Sequence, residues 1–110
     1  MAFTLARAHS SGMKDFVVTI TTTIPDGTDP AEVDRRRAAE KIRAKELAAT
    51  GHLYRIWRPA GEKRSIGIWR GEDERDLREN VLGTLPLWPW MSAEIVELES
   101  HPNDPVLNQW

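Results

Sequence analysis

The chain has 110 residues, a length at which one hydrophobic core forms and a second domain within it is excluded. Hydrophobic residues make up 40% and charged residues 29%, with a formal net charge of −2 from interleaved charges, which excludes a disordered chain and a basic field for nucleic acid. No apolar run approaches the roughly 18 residues of a membrane-spanning helix, and without cysteine there is no disulfide framework, thiol nucleophile or thiolate metal site.

Residues 1–13 read as a mobile leader: Ala6-Arg7-Ala8-His9 followed by Ser10, Ser11 and Gly12 has no period, and Met13 is a candidate natural start. No charged start precedes an apolar core here, so a secretory signal is not expected and the cytoplasm is the default location. The domain is expected over 14–100. Its first strand covers 16–24, where Phe16, Val18, Ile20 and Ile24 alternate with Val17, Thr19, Thr21 and Thr23. Pro25, Asp26 and Gly27 break it. Asp29-Pro30-Ala31-Glu32 opens a helix with an N-cap acceptor, proline at the first position and a glutamate placed for a capping box; the helix runs to Thr50, with Gly51 as its left-handed end.

A second strand follows over 52–58, with Leu53, Arg55 and Trp57 on one side and Tyr54, Ile56 and Arg58 on the other. Pro59-Ala60-Gly61 turns the chain into a third strand over 64–70. Asp73 caps a second helix through Gly83 that carries Leu77, Val81 and Leu82. Recurrent proline keeps Leu85-Pro86-Leu87-Trp88-Pro89-Trp90-Met91 out of regular helix and central strand. A last strand over 93–99 precedes a polar tail, 101–110. The order β-α-β-β-α-β predicts an α+β, ferredoxin-like antiparallel sheet with helices on one face, whose other face a partner subunit could cover. Five tryptophans, with Trp88, Trp90 and Trp110 in the last quarter, suit an oligomer contact or an apolar pocket wall.

Wound at about 100° per residue, Val33, Ala44, Leu47 and Ala48 of the first helix fall on one stripe expected to pack on the sheet, and Arg37 and Glu40 fall inside it. A carboxylate removed from water is paired, protonated or in use. One reading is a rim salt bridge between Arg37 and Glu40. The other places Glu40 in a pocket between helix and sheet, tuned by desolvation and a nearby cation for proton transfer, with Arg37 or Lys41 holding an anionic substrate group. Tyr54, Arg55, Ser65 and Trp69, on the two central strands, are further pocket candidates, although strand alternation keeps Tyr54 and Arg55 from pointing the same way. Each also has an ordinary role: core or interface aromatic for Tyr54 and Trp69, surface charge for Arg55, solvated strand residue for Ser65. Arg35, Arg36 and Arg37 together read as a solvated, acid-flanked helix face, and His101 before Pro102 as a tail turn. His9, His52 and His101 lack close ligand spacing, so neither metal nor other cofactor is expected.

Asp29-Pro30-Ala31, Glu40-Lys41, Ala44, Leu47, Gly51, Trp57-Arg58 and Ala60-Gly61 resemble the muconolactone delta-isomerases. Leu85-Pro86-Leu87-Trp88-Pro89-Trp90-Met91 resembles that family's Leu-Pro-Leu-Phe-Pro-Tyr-Met, and His101-Pro102 its His-Pro. The resemblance spans about Asp15 to Pro102. It implies a ferredoxin-like fold of the dimeric α+β barrel type, ring-like homo-oligomers built from dimers with a decamer among the expected states, and cofactor-free isomerisation of an unsaturated lactone in aromatic catabolism. Related members eliminate chloride from chloromuconolactone. Glu40 matches the family's glutamate on the first helix.

The chain departs from the family pattern at several polar positions. Arg37 stands where the family has lysine, Leu53 where it has tryptophan, Arg55 where it has histidine, and Ser65 and Gly67 where it has asparagine and serine. The sequence therefore points to an isomerase of this type acting on muconolactone or a related lactone or carboxylate, with Glu40 as proton shuttle, Arg37 and Lys41 on a carboxylate, and Tyr54, Arg55, Ser65 and Trp69 at the substrate. A cofactor-free oxygenase of ferredoxin-like fold and a non-catalytic ligand-binding oligomer are the alternatives.

Overall fold

The computed structural model describes residues 12–108; residues 1–11 of the expected leader and Trp110 lie outside them. Strand β1 (Lys14–Thr22) buries Phe16, Val18 and Ile20 on one face, as its alternation predicts. It stops two residues short of Ile24, although the Thr23 N–H still reaches the Trp90 carbonyl at 2.8 Å, one step beyond the last β1–β4 pair. Helix α1 (Pro30–Ala49) starts where expected: Asp29 Oδ1 accepts from the Ala31 N–H at 3.1 Å with Pro30 at the first position. Glu32 does not close a capping box, since two arginines claim its carboxylate, Arg35 and Arg36, each at 2.8 Å. Gly51 ends the helix at φ 85°, a conformation open to glycine without a Cβ clash.

Strands β2 (Leu53–Trp57), β3 (Ser65–Gly71) and β4 (Met91–Leu98) complete an antiparallel sheet in the order β2-β3-β1-β4. This is the ferredoxin-like arrangement the element order predicts. Of the two strands expected to be central, β3 is, while β2 lies at an edge. The register puts Phe16 beside Trp69, Val18 beside Gly67 and Ile20 beside Ser65, so Ser65, Gly67 and Trp69 share the helix-covered face. Leu53 pairs with Trp69 and Ile56 with Gly67 on that same face.

Between Leu53 and Arg55 the β2 register shifts by a bulge, and Arg55 pairs with Ile68 on the opposite, uncovered face. The extra residue, Tyr54, stacks under the Arg70 guanidinium at 4.4 Å, and Arg70 is held by Asp15 at 2.8 Å. Tyr54 and Arg55 thus do point to the same side. Strict alternation fails there because a bulge inserts one residue without reversing the next.

The second helix departs most from expectation. One α-helical turn, α2 (Glu74–Asp76), is capped by Asp73 Oδ1 accepting from the Asp76 N–H at 2.7 Å. The chain then widens into a π turn, Leu77–Val81, and tightens into a 3₁₀ turn, Leu82–Thr84. Residues five apart stack in a π turn, so Leu77 can share the core with both Val81 and Leu82; all three are at most 1% exposed. The turn also brings the Arg78 carbonyl so close that a Cβ at Gly83 would lie 2.6 Å from it. Gly83→Ala is expected to lower stability by roughly 1–3 kcal/mol despite alanine's better helix propensity, because backbone has to move; chemical denaturation measures it.

Candidate active site

The buried face of α1 is rotated from the one expected. Leu47 is 2% exposed, and counting back in steps of three and four gives Arg43 and Ala44, then Glu40, Arg36 and Val33, all partly buried. Arg37 and Ala48 are exposed. Arg36, expected to be solvated, is the inward-facing arginine. Its Nη1 donates to the Pro86 carbonyl at 2.9 Å, its Nε to Glu32 at 2.8 Å, and its guanidinium lies 4.6 Å from the Trp90 ring centre. Steps of three and four back from Glu40 reach Arg37 and Arg36 alike, so the step pattern leaves the choice between them open.

Glu40 sits one turn on. Its Oε1 accepts from the Leu87 N–H at 2.9 Å, and Arg43 Nε donates to Thr84 Oγ1 at 3.0 Å. Arg36, Glu40 and Arg43 together fasten segment 84–90 along one face of α1. Within that segment the Trp88 N–H bonds the Leu85 carbonyl and the Trp90 N–H the Leu87 carbonyl, in the 3₁₀ turn Trp88–Trp90. Leu85 and Leu87 point into the core.

The ion pairs of α1 join Arg35 and Arg36 to Glu32 and Arg43 to Glu46; among the described residues no cation pairs with Glu40. The expected Arg37–Glu40 bridge is not formed, because Arg37 turns to solvent. Burial pushes the Glu40 carboxyl above the usual carboxylate range, and the Leu87 N–H opposes that only in part. No neighbouring cation contributes, contrary to expectation. One carboxyl oxygen is thus tied down, and the group takes up a proton more readily than a solvated glutamate. This combination suits a base that must also return its proton.

Ser65 and Trp69 lie on the sheet face that α1 crosses, Ser65 partly exposed and Trp69 2% exposed. An opening of about 270 Å³ is lined by Ile56, Trp57, Arg58 and Ser65. Lys41 and Arg37 are exposed on α1. Tyr54 and Arg55 stand on the far side of the sheet, so the fold does not bring them to Glu40 within one chain; Arg55 stacks on Trp57 at 4.6 Å. A larger cleft, about 780 Å³, lies elsewhere, between the tail and the β1–β4 end, where Arg70, Glu97 and His101 meet. His101 is exposed and its Nδ1 accepts from the Asn103 N–H at 2.9 Å, which is the tail turn expected of it. Among the described residues no three His, Asp or Glu side chains converge to hold a metal ion, and no helix is long and apolar enough to cross a membrane.

A family model described as muconolactone delta-isomerase matches residues 14–104. The muconolactone delta-isomerase of Rhodococcus opacus is 37% identical over 89 residues, covering 81% of this chain and 95% of that protein. Those of Pseudomonas aeruginosa and Acinetobacter baylyi are 33% and 30% identical over 88 residues, each covering 80% of this chain and 91% of the relative. A crystal structure of muconolactone isomerase superposes with a TM-score of 0.73 at 30% identity, covering 82% of this chain and 93% of that one.

The raised Glu40 carboxyl has a consequence for folding. The folded state holds this proton more tightly than the unfolded chain does, so the contribution of Glu40 to stability is fully present below the ordinary glutamate range. It is lost as pH rises through the raised value. Glu40→Gln keeps an acceptor for Leu87 without the charge. Its melting temperature is expected to match or exceed that of the parent at pH 8, the difference narrowing as pH falls to 4; thermal unfolding across that range checks it.

Proposed function

Because the chain belongs to the muconolactone delta-isomerase family, we propose that it is a cofactor-independent isomerase moving a proton along the allylic system of an unsaturated lactone, with muconolactone the first substrate to test. The observation that carries the reading is Glu40: half-buried, without an ion-pair partner among the described residues, and fixed through one oxygen to the Leu87 N–H. Its free oxygen takes a proton from the carbon adjacent to the conjugated system. The C–H electron pair moves toward the carbonyl as a dienolate, and the same carboxyl returns the proton at the far allylic carbon, shifting the double bond with no net change in atoms or electrons.

Arg37 and Lys41 flank Glu40 on α1 and have no ion-pair partner among the described residues, and in this reading they hold the substrate's carboxylate at the mouth of the site. Ser65 contributes a hydroxyl from the sheet floor. Tyr54 and Arg55 belong to the uncovered sheet face, where Tyr54 is 58%, Trp57 47%, Val96 56% and Leu98 39% exposed. An apolar face of this kind favours association of copies through their sheets, so the working form is a homo-oligomer in which Tyr54 and Arg55 serve the interface or a neighbouring copy.

Two measurements test this reading. In deuterated water the protein should convert muconolactone to the isomeric enol-lactone with solvent deuterium entering the product, followed by NMR. Glu40→Gln should slow that conversion about 10²–10⁴-fold, the usual worth of one positioned acid–base group; undiminished turnover by the variant would remove Glu40 from the chemistry. Val96→Asp should shift the sedimentation profile toward smaller species, and an unchanged profile would place the assembly surface elsewhere.

A further inference from the structure

Trp69 is 2% exposed, yet its indole Nε1 has no hydrogen-bond partner, the one such buried side-chain atom among the described residues. A donor sealed from water without an acceptor is costly, and native interiors seldom leave one. Its position is set by Gly67: a Cβ built at residue 67 would lie 2.8 Å from Nε1 and 2.9 Å from the Arg55 carbonyl oxygen. The indole nitrogen therefore occupies the space a side chain at 67 would fill, on the sheet face that α1 crosses.

An opening lies farther along the same strand. Gly67 and Ser65 are successive residues of β3 on that face, about 7 Å apart along the strand, and Ser65 with Ile56 lines the opening of about 270 Å³. Ile56, the β2 partner of Gly67, is 47% exposed, so this part of the covered face is not sealed by α1. A flat ligand entering past Ile56 and Ser65 would bring an oxygen toward Nε1 from the sheet side, on the face against which α1 packs through Leu47.

We propose that the Trp69 indole N–H is the hydrogen-bond donor to the substrate's lactone carbonyl, made possible by glycine at position 67. This rests on the isomerase reading of Glu40. When Glu40 removes the allylic proton, the electron pair displaced from the C–H bond arrives on that carbonyl oxygen, and the N–H stabilises the negative charge there. When the dienolate collapses, the pair forms the new C–H bond with the proton Glu40 gives back. The donor has no partner among the described residues, so a hydrogen bond to the substrate displaces none of them and strengthens as charge develops.

The test uses the full chain labelled with ¹⁵N-tryptophan. In Glu40→Gln, which leaves the lactone intact, added muconolactone should move the Trp69 indole proton downfield, the resonance being assigned by its absence in Trp69→Phe. Should Trp69→Phe fail to fold, single phenylalanine variants of the other four tryptophans assign it by elimination. With Glu40 present, Trp69→Phe should lower kcat about 100-fold, as loss of one oxyanion donor does, with a smaller change in KM. Loss of turnover in Glu40→Gln together with undiminished kcat in Trp69→Phe and an unmoved indole resonance would overturn the proposal and leave the Glu40 reading standing. Absence of turnover by the unaltered protein would overturn the isomerase reading itself. The donor is then judged on the unaltered protein by the resonance alone, a shift with muconolactone supporting it and no shift overturning it.

Discussion

The interaction on which the site depends is the hydrogen bond from the Leu87 N–H to Glu40. Segment 84–90 contains two prolines and satisfies only part of its backbone, through its own 3₁₀ turn. It is held also by side chains from one face of α1, with Glu40 at the centre and Arg36 and Arg43 one turn to either side. Charge-assisted bonds of this type are stronger than neutral ones. They fix where segment 84–90 sits along α1.

The same bond gives Glu40 two tasks that pull against each other. Burial raises its affinity for a proton, whereas the Leu87 N–H favours the charged form and limits the rise. A base that must take a proton and then surrender it needs an intermediate affinity, and the two effects oppose each other at Glu40, which has no ion pair among the described residues. Each protonation of Glu40 also weakens its hold on Leu87, so the state of the carboxyl and the seating of the segment are coupled through a single contact.

The sheet divides the remaining polar groups. The β2 bulge sends Tyr54 and Arg55 to the uncovered face with Arg70 and Asp15, while Ser65, Gly67 and Trp69 stay under α1. The covered face is sparse in polar atoms, and that makes the unpartnered Trp69 nitrogen conspicuous. Gly67 and Trp69 act as one unit there, because the absence of a side chain at the first leaves room for the ring nitrogen of the second.

Much of this was legible in the chain. Element order, the Asp29-Pro30 helix start, the Gly51 end and the alternation of Phe16, Val18 and Ile20 are governed by contacts within a few residues, and they specified a ferredoxin-like sheet and drew attention to Glu40. The family resemblance, carried by Glu40 and by the Leu-Pro-Leu-Trp-Pro-Trp-Met segment, agrees with the comparisons with known proteins. Tertiary structure decided the rest. Which arginine of Arg35-Arg36-Arg37 turns inward follows from where Pro86 and Trp90 lie, 50 or more residues away. The face taken by Tyr54 and Arg55 follows from a bulge whose register depends on β3, and the π turn at Leu77–Val81 from the need to bury three side chains against one core. Local pattern carries no information about such long-range contacts, since their energy exists only once distant segments have met.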